Sequence, residues 1–225
     1  MELSIDTSNR HASIALSEKG KLIIDKTWIS NKNHSVELLP SINKLLTTNG
    51  KKFPDIKCLF IAKGPGKFSA LRVGMSIAKG LSFSLKIPII AINTLYMEAY
   101  PELEQNSKTY SLMEYNKDKL YIGQFYNLSE EIESKYSIIS QEQLYYQISE
   151  NSFVCGEGIS SLQNEFYDKL KTKTKFIKLK LPGTRIKQLA KLGFKNYKNK
   201  KYSNTSTLQP IYLGNSQINN AKNNN

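Results

Sequence analysis

Two short turns, each placed directly after an apolar run, constrain the fold of this chain more than any other feature. Residues 6–8, Asp-Thr-Ser, follow the short run at residues 3–5, and the glycine-rich residues 64–74 follow the run at 58–62. Each turn therefore ends a predicted strand. In an open sheet, ligands and partners are held in the crevice beyond the strand ends. The two turns mark the edge of an α/β sheet at which we expect a functional site.

The first half of the chain changes from strand periodicity to alternating helices and strands. Apolar and polar residues alternate in three early segments, which predicts a meander of three strands. Leucine and isoleucine then recur at helical spacing, and Pro40 is expected in the first turn of that helix, where its missing N–H costs little. The predicted order is strands at 3–5, 12–16 and 22–29, a helix at 34–46, a strand at 56–62, a helix at 69–85 and a strand at 87–92.

The second half is less regular. Pro101 and the polar stretch up to Lys108 interrupt the pattern, which predicts a boundary between an N-terminal lobe at 1–100 and a C-terminal lobe at 101–214. The asparagine-rich residues 215–225 lack apolar periodicity and are expected to form a disordered tail. The predicted elements of the second lobe are strands at 110–114, 120–125, 136–139 and 153–155, and helices at 141–149, at 159–170 and after Thr184.

The net charge of +13 is concentrated in one segment. Between Lys169 and Lys201 the chain has 12 lysines, Arg185 and no acidic residue, whereas the remainder holds 19 basic and 19 acidic residues. A localised basic patch is the electrostatic footprint of an anionic partner, although lysine blocks also occur as solvated surface alone. The candidate contacts to such a partner lie on the last predicted helix and are Arg185, Lys187, Lys191, Lys195 and Lys198.

The cysteine and hydropathy patterns indicate an intracellular protein. Cys58 and Cys155 both lie inside apolar runs, which predicts buried free thiols in a reducing compartment. No apolar run approaches the length of a membrane span, and the chain starts with a strand pattern rather than a basic and apolar leader. We therefore expect a cytoplasmic protein that does not associate with a membrane.

Several short motifs occur in an order that resembles one known family. The motifs are residues 5–8, 34–40, 64–74, 78–81, 87–89 and 93–95, with fainter ones at 114–126, 156–158 and 209–213. They are similar to those of the TsaB/YeaZ family, the dimerization subunit of the bacterial tRNA threonylcarbamoyladenosine machinery. The resemblance is strongest over the first half of the chain, and residues 64–74 are its most specific part.

The resemblance implies a two-lobe α/β fold of the actin-like ATPase class (ASKHA, ribonuclease H-like), with a mixed sheet flanked by helices in each lobe. It implies a non-catalytic subunit that dimerizes with, and activates, a tRNA-modifying enzyme. That enzyme adds a threonylcarbamoyl group to the adenosine following the anticodon in tRNAs that read codons starting with A. The implied partners are the catalytic paralogue TsaD, the ATPase subunit TsaE and, through the complex, tRNA. The isolated chain would form a homodimer, and the basic residues of the last helix become candidate tRNA contacts.

The two turns form a candidate nucleotide or anion site in degenerate form. In actin-like ATPases an acid at this first turn helps to hold the metal and the phosphates. Alternatively, Asp6 and Thr7 cap the turn by local hydrogen bonds, and the glycine loop is a tight turn that packs Phe68 and Leu71 inward. A working site also needs further glycine-rich loops, and only residues 156–158 are available. The candidate site residues are Asp6, Thr7, Ser8, Gly64, Gly66, Lys67 and Arg72.

Metal and protease chemistry both lack the necessary residues. The catalytic relative carries a His-x-x-x-His pair, whereas this chain has His34 followed by Leu38 and only one other histidine, His11. A protein metal site usually needs three ligands. There is also no Gly-x-Ser-x-Gly nucleophile elbow. The sequence therefore predicts no metal, no cofactor and no catalytic residue.

The two N-terminal helices carry more apolar residues than one sheet face requires. Such a surplus is typical of a helix that meets a second surface. In the family these helices contact the catalytic subunit. Phe83 belongs to the surplus, and the predicted interface residues are Leu38, Leu39, Ile42, Leu45, Leu46, Leu81 and Leu85.

Two other functions remain open at this stage. The first is an autonomous ATPase or kinase of the same fold, which ATP turnover lost in Asp6→Ala would support. The second is a glycoprotease-like peptidase, which labelling by a covalent serine probe would support.

Overall fold

Two five-stranded mixed sheets form the framework of the chain. The structure, a computed structural model, describes residues 1–31, 34–103, 108–126, 135–176 and 183–213. The predicted tail at 215–225 lies outside the described residues. Within the described ranges, no helix is both long enough and apolar enough to cross a membrane.

The first sheet combines an antiparallel meander with two parallel strands. Strand β1 lies at the centre, pairing with β2 on one side and with β4 on the other, so the strand order is β3-β2-β1-β4-β5. All five residues of β1 and of β4 are buried, as expected for strands covered on both faces. The elements are β1 (Glu2–Asp6), β2 (His11–Glu18), β3 (Lys21–Ile29), α1 (His34–Thr48), β4 (Cys58–Ala62), α2 (Phe68–Leu85), β5 (Ile89–Ile92) and α3 (Thr94–Leu103).

The second sheet repeats this topology. Its order is β8-β7-β6-β9-β10, with an antiparallel meander followed by two strands parallel to β6. The same arrangement therefore occurs twice, which is the two-lobe actin-like fold that the sequence predicted. The elements are β6 (Thr109–Glu114), β7 (Lys119–Phe125), β8 (Lys135–Ser140), α4 (Gln141–Gln147), β9 (Phe153–Cys155), α5 (Asn164–Lys173), β10 (Lys175–Phe176) and α6 (Arg185–Lys198).

Two helices pack against the sheet of the other half of the chain. Helix α3 follows the first sheet but contacts β6, β7 and β9 of the second. Helix α6 follows the second sheet but packs across all five strands of the first. Helices α1 and α2 cover the opposite face of that first sheet. The domain boundary near residue 100 stays a prediction, because these two helices interleave the lobes.

Helix α1 differs from its prediction at Pro40. The proline lies inside the helix, in its second turn, and not in the first turn as expected. A proline at this position removes the hydrogen bond to the carbonyl of Val36. Val36 is 70% exposed, so water has access to the carbonyl that is left without a backbone partner.

Both cysteines are buried and neither forms a disulfide, as predicted. Cys58 lies in β4 at the centre of the first sheet, and burial raises the pKa of its thiol to about 12. A thiol with such a pKa stays protonated at neutral pH and is a weak nucleophile. Cys58 therefore acts as a small apolar core residue.

We predict opposite effects for two glycine-to-alanine changes in helices. At Gly193 of α6 a Cβ atom would lie 2.3 Å from Cγ of Phe60, whereas at Gly80 of α2 nothing lies within 4 Å. Gly193→Ala should lower the free energy of unfolding by about 1–3 kcal/mol through overpacking. Gly80→Ala should raise it by about 1 kcal/mol through helix propensity. Urea unfolding measures both, and equal effects would contradict the packing of α6 against β4.

Candidate functional site

The turn after β1 is buried and bonded within itself. Asp6 is 1% exposed, and its Oδ1 atom accepts hydrogen bonds from the backbone N–H of Ser8 at 2.9 Å and from the Ser8 hydroxyl at 2.5 Å. The Thr7 hydroxyl donates to the carbonyl of Ala70 in α2 at 2.8 Å. The bonds of Asp6 are the local capping bonds that the sequence left as the alternative to a ligand site, whereas the bond of Thr7 reaches a helix distant in sequence.

The second oxygen of Asp6 is occupied by Arg185, the first residue of α6. Its Nε atom lies 2.5 Å from Oδ2 of Asp6, and its Nη2 atom donates to the Ser8 hydroxyl at 2.9 Å. Its Nη1 atom lies 3.1 Å from Oε1 of Glu98 and 3.4 Å from Oε2 of Glu157. We call Asp6, Ser8, Glu98, Glu157 and Arg185 the Arg185 cluster.

The Arg185 cluster joins four parts of the fold. Asp6 belongs to the first sheet, Glu98 to α3, Glu157 to the turn after β9, and Arg185 to α6. Asn9 also donates a side-chain hydrogen bond to Glu157, across the same junction. The prediction of Arg185 as a tRNA contact is therefore corrected: its side chain is 6% exposed and is committed to these carboxylates.

The electrostatics of the cluster combine one cation with three carboxylates. Burial raises the pKa of Glu98, and the nearby charges of Glu157 and Asp6 raise it further, while Arg185 opposes them. Burial disfavours the charged form of Arg185, but the surrounding carboxylates outweigh that effect and raise its pKa. The guanidinium therefore stays charged, and Glu98 takes up a proton more readily than an ordinary glutamate does.

The glycines of the second turn let the two turns approach each other closely. A Cβ atom on Gly66 would lie 2.2 Å from the carbonyl oxygen of Ser8, and one on Gly74 would lie 2.2 Å from the Thr7 hydroxyl oxygen. The N–H of Lys67 donates to the same Ser8 carbonyl at 2.7 Å. The space beside these glycines is thus filled by the Asp6–Thr7–Ser8 turn and not left as an anion cradle.

The other three residues of the predicted anion site differ in their exposure to solvent. Gly64 is buried, and its N–H donates to the Thr94 hydroxyl at 3.1 Å. Lys67 and Arg72 have exposed side chains. Arg72 stacks on Phe68, with 3.9 Å from Cζ to the ring centroid, and its Nε donates to the Tyr212 hydroxyl at 3.0 Å. Phe68 is therefore half-buried beneath Arg72, whereas Leu71 is buried as expected.

His34 is a buried residue at the start of α1. It is 8% exposed, and burial lowers the pKa of its imidazole. Leu38, one turn later, is fully buried in the core. Among the residues that the structure describes, no group of three or more histidine, cysteine, aspartate or glutamate side chains is placed to hold a metal ion.

The predicted partner interface divides into core and surface. Leu38, Ile42, Leu45 and Leu46 are at most 6% exposed and belong to the core between α1, α2 and the first sheet. Leu81 and Leu85 are partly buried against the same core. The apolar surplus of α1 thus largely serves packing against α2 within the chain. The side chains that do reach the surface of the two helices are Val36 (70% exposed), Leu39 (43%) and Phe83 (85%).

Comparison with known proteins identifies the family. The family model described as TsaD, tRNA N6-adenosine threonylcarbamoyltransferase, matches residues 28–145. A protein named tRNA threonylcarbamoyladenosine biosynthesis protein TsaB, from Buchnera aphidicola subsp. Schizaphis graminum, is 31% identical over 171 residues, spanning 72% of this chain and 81% of that relative. The chain belongs to the TsaB/YeaZ family. The TsaB protein of Haemophilus influenzae is 28% identical over 231 residues, spanning 95% of this chain and 93% of its own length.

A solved structure of a second protein shows the same fold. YeaZ from Pseudomonas aeruginosa superimposes with a TM-score of 0.71 at 20% identity, covering 95% of this chain and all of that one. Membership of the TsaB family assigns the chain a role in tRNA threonylcarbamoyladenosine biosynthesis, which confirms the role that the sequence predicted.

The Arg185 cluster was missed in part by the sequence reasoning. Arg185 is the only arginine in a segment with 12 lysines, and arginine is preferred over lysine for buried ion pairs. The sequence therefore contained a signal that Arg185 forms a buried ion pair, unlike its lysine neighbours. Glu157 lies in a glycine motif that the sequence singled out, whereas Glu98 lies on a helix with no local pattern to distinguish it.

We predict that removing the Arg185 guanidinium strongly destabilises the chain. Arg185→Met leaves the buried Asp6 and the partly buried Glu98 and Glu157 without their cation, which should lower the free energy of unfolding by about 3–5 kcal/mol at neutral pH. The control Lys187→Met, two residues away on the exposed side of α6, should change it by less than about 0.5 kcal/mol. Urea unfolding of both variants tests this, and equal losses would mean that the cluster contributes little.

We also predict a pH-dependent contribution from Glu98. Its pKa in the folded state is raised above the ordinary value of 4.5, so the folded state binds its proton more tightly than the unfolded state does. The stability from Glu98 is therefore complete below the ordinary pKa and is lost as the pH rises through the raised pKa. Relative to Glu98→Gln, the wild type should lose stability as the pH rises above the ordinary pKa of 4.5 and through the raised pKa of the folded state. A difference that grows with pH would contradict this.

Proposed function

We propose that the chain is a non-catalytic subunit that pairs with, and activates, a threonylcarbamoyltransferase of the TsaD type. The enzyme would add the threonylcarbamoyl group to the adenosine following the anticodon in tRNAs that read codons starting with A. The ATPase subunit TsaE would belong to the same cytoplasmic assembly. The observation that carries the proposal is the occupation of Asp6 by groups of the chain itself.

The hydrogen bonds and the ion pair of Asp6 support a role in which the chain does not act on a nucleotide. Its Oδ1 atom accepts from two groups of Ser8, and its Oδ2 atom pairs with Arg185. A metal–nucleotide complex would have to displace a buried guanidinium that also bonds to Glu98 and Glu157. Because a buried charge pair is costly to separate, the chain holds this site closed.

The exposed apolar side chains of α1 and α2 support a partner at these helices. Phe83 is 85% exposed and Val36 is 70% exposed, on the face of the helices that points away from the first sheet. Large aromatic and aliphatic side chains on a surface are typical of protein interfaces. The same surface would form the homodimer when the chain is isolated.

Small residues on α2 also support close approach of another helix. Ser76, Gly80 and Ser84 are all exposed and lie four residues apart on one face. A glycine inside a helix costs about 1 kcal/mol relative to alanine. Gly80 has no neighbour within 4 Å of the position of a Cβ atom, so packing within the chain does not explain it.

We predict that Leu39→Glu combined with Phe83→Glu abolishes pairing with the threonylcarbamoyltransferase. Both positions are exposed, so the isolated chain should fold normally, whereas the complex would bury two unpaired carboxylates. Tyr146→Glu is the matched control, because Tyr146 is also 85% exposed but lies on α4 of the second lobe. Co-elution of the purified proteins in size-exclusion chromatography measures the pairing.

A Gly80→Leu variant separates folding from binding. It should stabilise the isolated chain, because leucine is a better helix former than glycine, and it should weaken pairing, because the larger side chain keeps a second helix at a distance. Pairing at wild-type affinity in both this variant and the double variant would place the interface elsewhere on the chain.

The two other functions have less support. An autonomous ATPase or kinase would need an available carboxylate at Asp6, and a peptidase would need a nucleophile with a base. Ser69 lies at the start of α2 with an exposed side chain, and no histidine hydrogen bond to it is found among the described residues. ATP turnover that is lost in Asp6→Ala would overturn the non-catalytic assignment.

A further inference from the structure

Helix α6 presents a stripe of lysines on its exposed side. Its buried residues include Ile186, Leu189, Ala190 and Leu192, which face the first sheet. Lys187, Lys191, Lys195 and Lys198 are spaced by four, four and three residues, so they lie on one side of the helix over about 16 Å. Lys187, Lys191 and Lys198 are exposed and Lys195 is half-buried.

Helix stability explains only part of this placement: Lys195 and Lys198 lie in the last turn, where cations are favourable, but Lys187 does not. Cations are unfavourable at a helix N-terminus, yet Lys187 follows Arg185 in the first turn and no acidic residue is present there. The Arg185 cluster accounts for Arg185 but not for Lys187. Like charges four residues apart destabilise a helix by about 0.2–0.5 kcal/mol for each pair. The charge of Lys187 is therefore unfavourable to the helix itself, and a polyanion would offset it.

The basic surface continues beyond the end of the helix and includes an aromatic ring. Lys200 and Lys201 follow directly and are exposed, and Tyr202 is 50% exposed. The ring of Tyr202 lies 6.0 Å from that of Tyr197. Lysines beside an exposed aromatic ring are typical of surfaces that bind nucleic acid, where phosphates meet the cations and unpaired bases stack on the ring.

We propose that this surface of the chain binds the phosphate backbone of tRNA. The proposal rests on the proposed function, since it takes tRNA as the polyanion of the reaction. Residues 183–201 contain seven basic residues and no acidic one, which matches a polyanionic partner. The apolar residues of α6 are buried against the sheet and cannot insert into a lipid bilayer, so the observations favour RNA over a membrane surface. The α6 surface consists of Lys187, Lys191, Lys195, Lys198, Lys200, Lys201 and Tyr202.

The geometry leaves room for both partners at once. Helix α6 covers one face of the first sheet, and α1 and α2 cover the other. A threonylcarbamoyltransferase at α1 and α2 would therefore not block the α6 surface. The lysines act by charge, so binding should be largely independent of tRNA sequence and should weaken steeply with salt.

The test compares two variants of the full chain that have the same net charge. One replaces Lys187, Lys191, Lys195 and Lys198 by Gln, and the control replaces Lys51, Lys52, Lys57 and Lys117, which are also exposed, by Gln. Fluorescence anisotropy with an unmodified tRNA transcript is measured at several salt concentrations. The stripe variant should lose about tenfold or more in affinity at low salt, and its slope of log K against log salt should be lower by about 3. The control variant should keep most of its tRNA affinity and most of its salt slope.

Three results would overturn the proposal. The first is that the wild-type chain does not bind tRNA at low salt. The second is that both variants lose the same amount of tRNA affinity. The third is that the stripe variant keeps its tRNA binding but loses a binding to phosphatidylglycerol vesicles that the wild type shows. Co-elution with the threonylcarbamoyltransferase should be unchanged in the stripe variant. Unchanged tRNA binding in the stripe variant with pairing retained would overturn this inference alone, whereas absence of pairing in the wild type would overturn the proposed function.

Discussion

The buried ion pair between Arg185 and Asp6 is the interaction on which the rest of the structure depends. It fixes the first residue of α6 beside the end of β1, and through Glu98 and Glu157 it holds α3 and the second lobe against the same point. A guanidinium suits this place because its planar fork of donors can reach several carboxylates at once. One side chain thus determines both the closure of the lobes and the direction in which α6 leaves the junction.

The chain reinforces this junction with its C-terminal segment. After α6 the backbone returns along the first sheet, where the N–H of Ser203 donates to the carbonyl of Ile89, and the N–H of Ile211 donates to the carbonyl of Lys63. Leu213 then packs against the core of the second lobe. Because this segment is bonded to the first lobe and Leu213 packs on the second, separating the lobes would break the Leu213 contacts as well as the Arg185 cluster.

The sequence predicted elements well and the environment of individual side chains less well. Strand and helix periodicities located both sheets, because a buried face repeats every two or 3.6 residues. Periodicity does not say whether a second apolar stripe meets a partner or a neighbouring helix of the same chain, so Leu38 and Ile42 were expected at an interface and lie in the core. Arg185 was grouped with its lysine neighbours, since its partners Asp6 and Glu98 are distant in sequence.

The occupation of Asp6 by Arg185 and the two exposed helix surfaces are connected through the first sheet. With Asp6 neutralised from within, the strand ends no longer have to stay accessible, and α6 can be anchored directly over them. The faces of the covering helices are then free to vary in composition without affecting the buried cluster. One pair, α1 and α2, carries exposed apolar and small residues, and α6 carries lysines. The first lobe thus presents an apolar surface on one side of its sheet and a basic surface on the other.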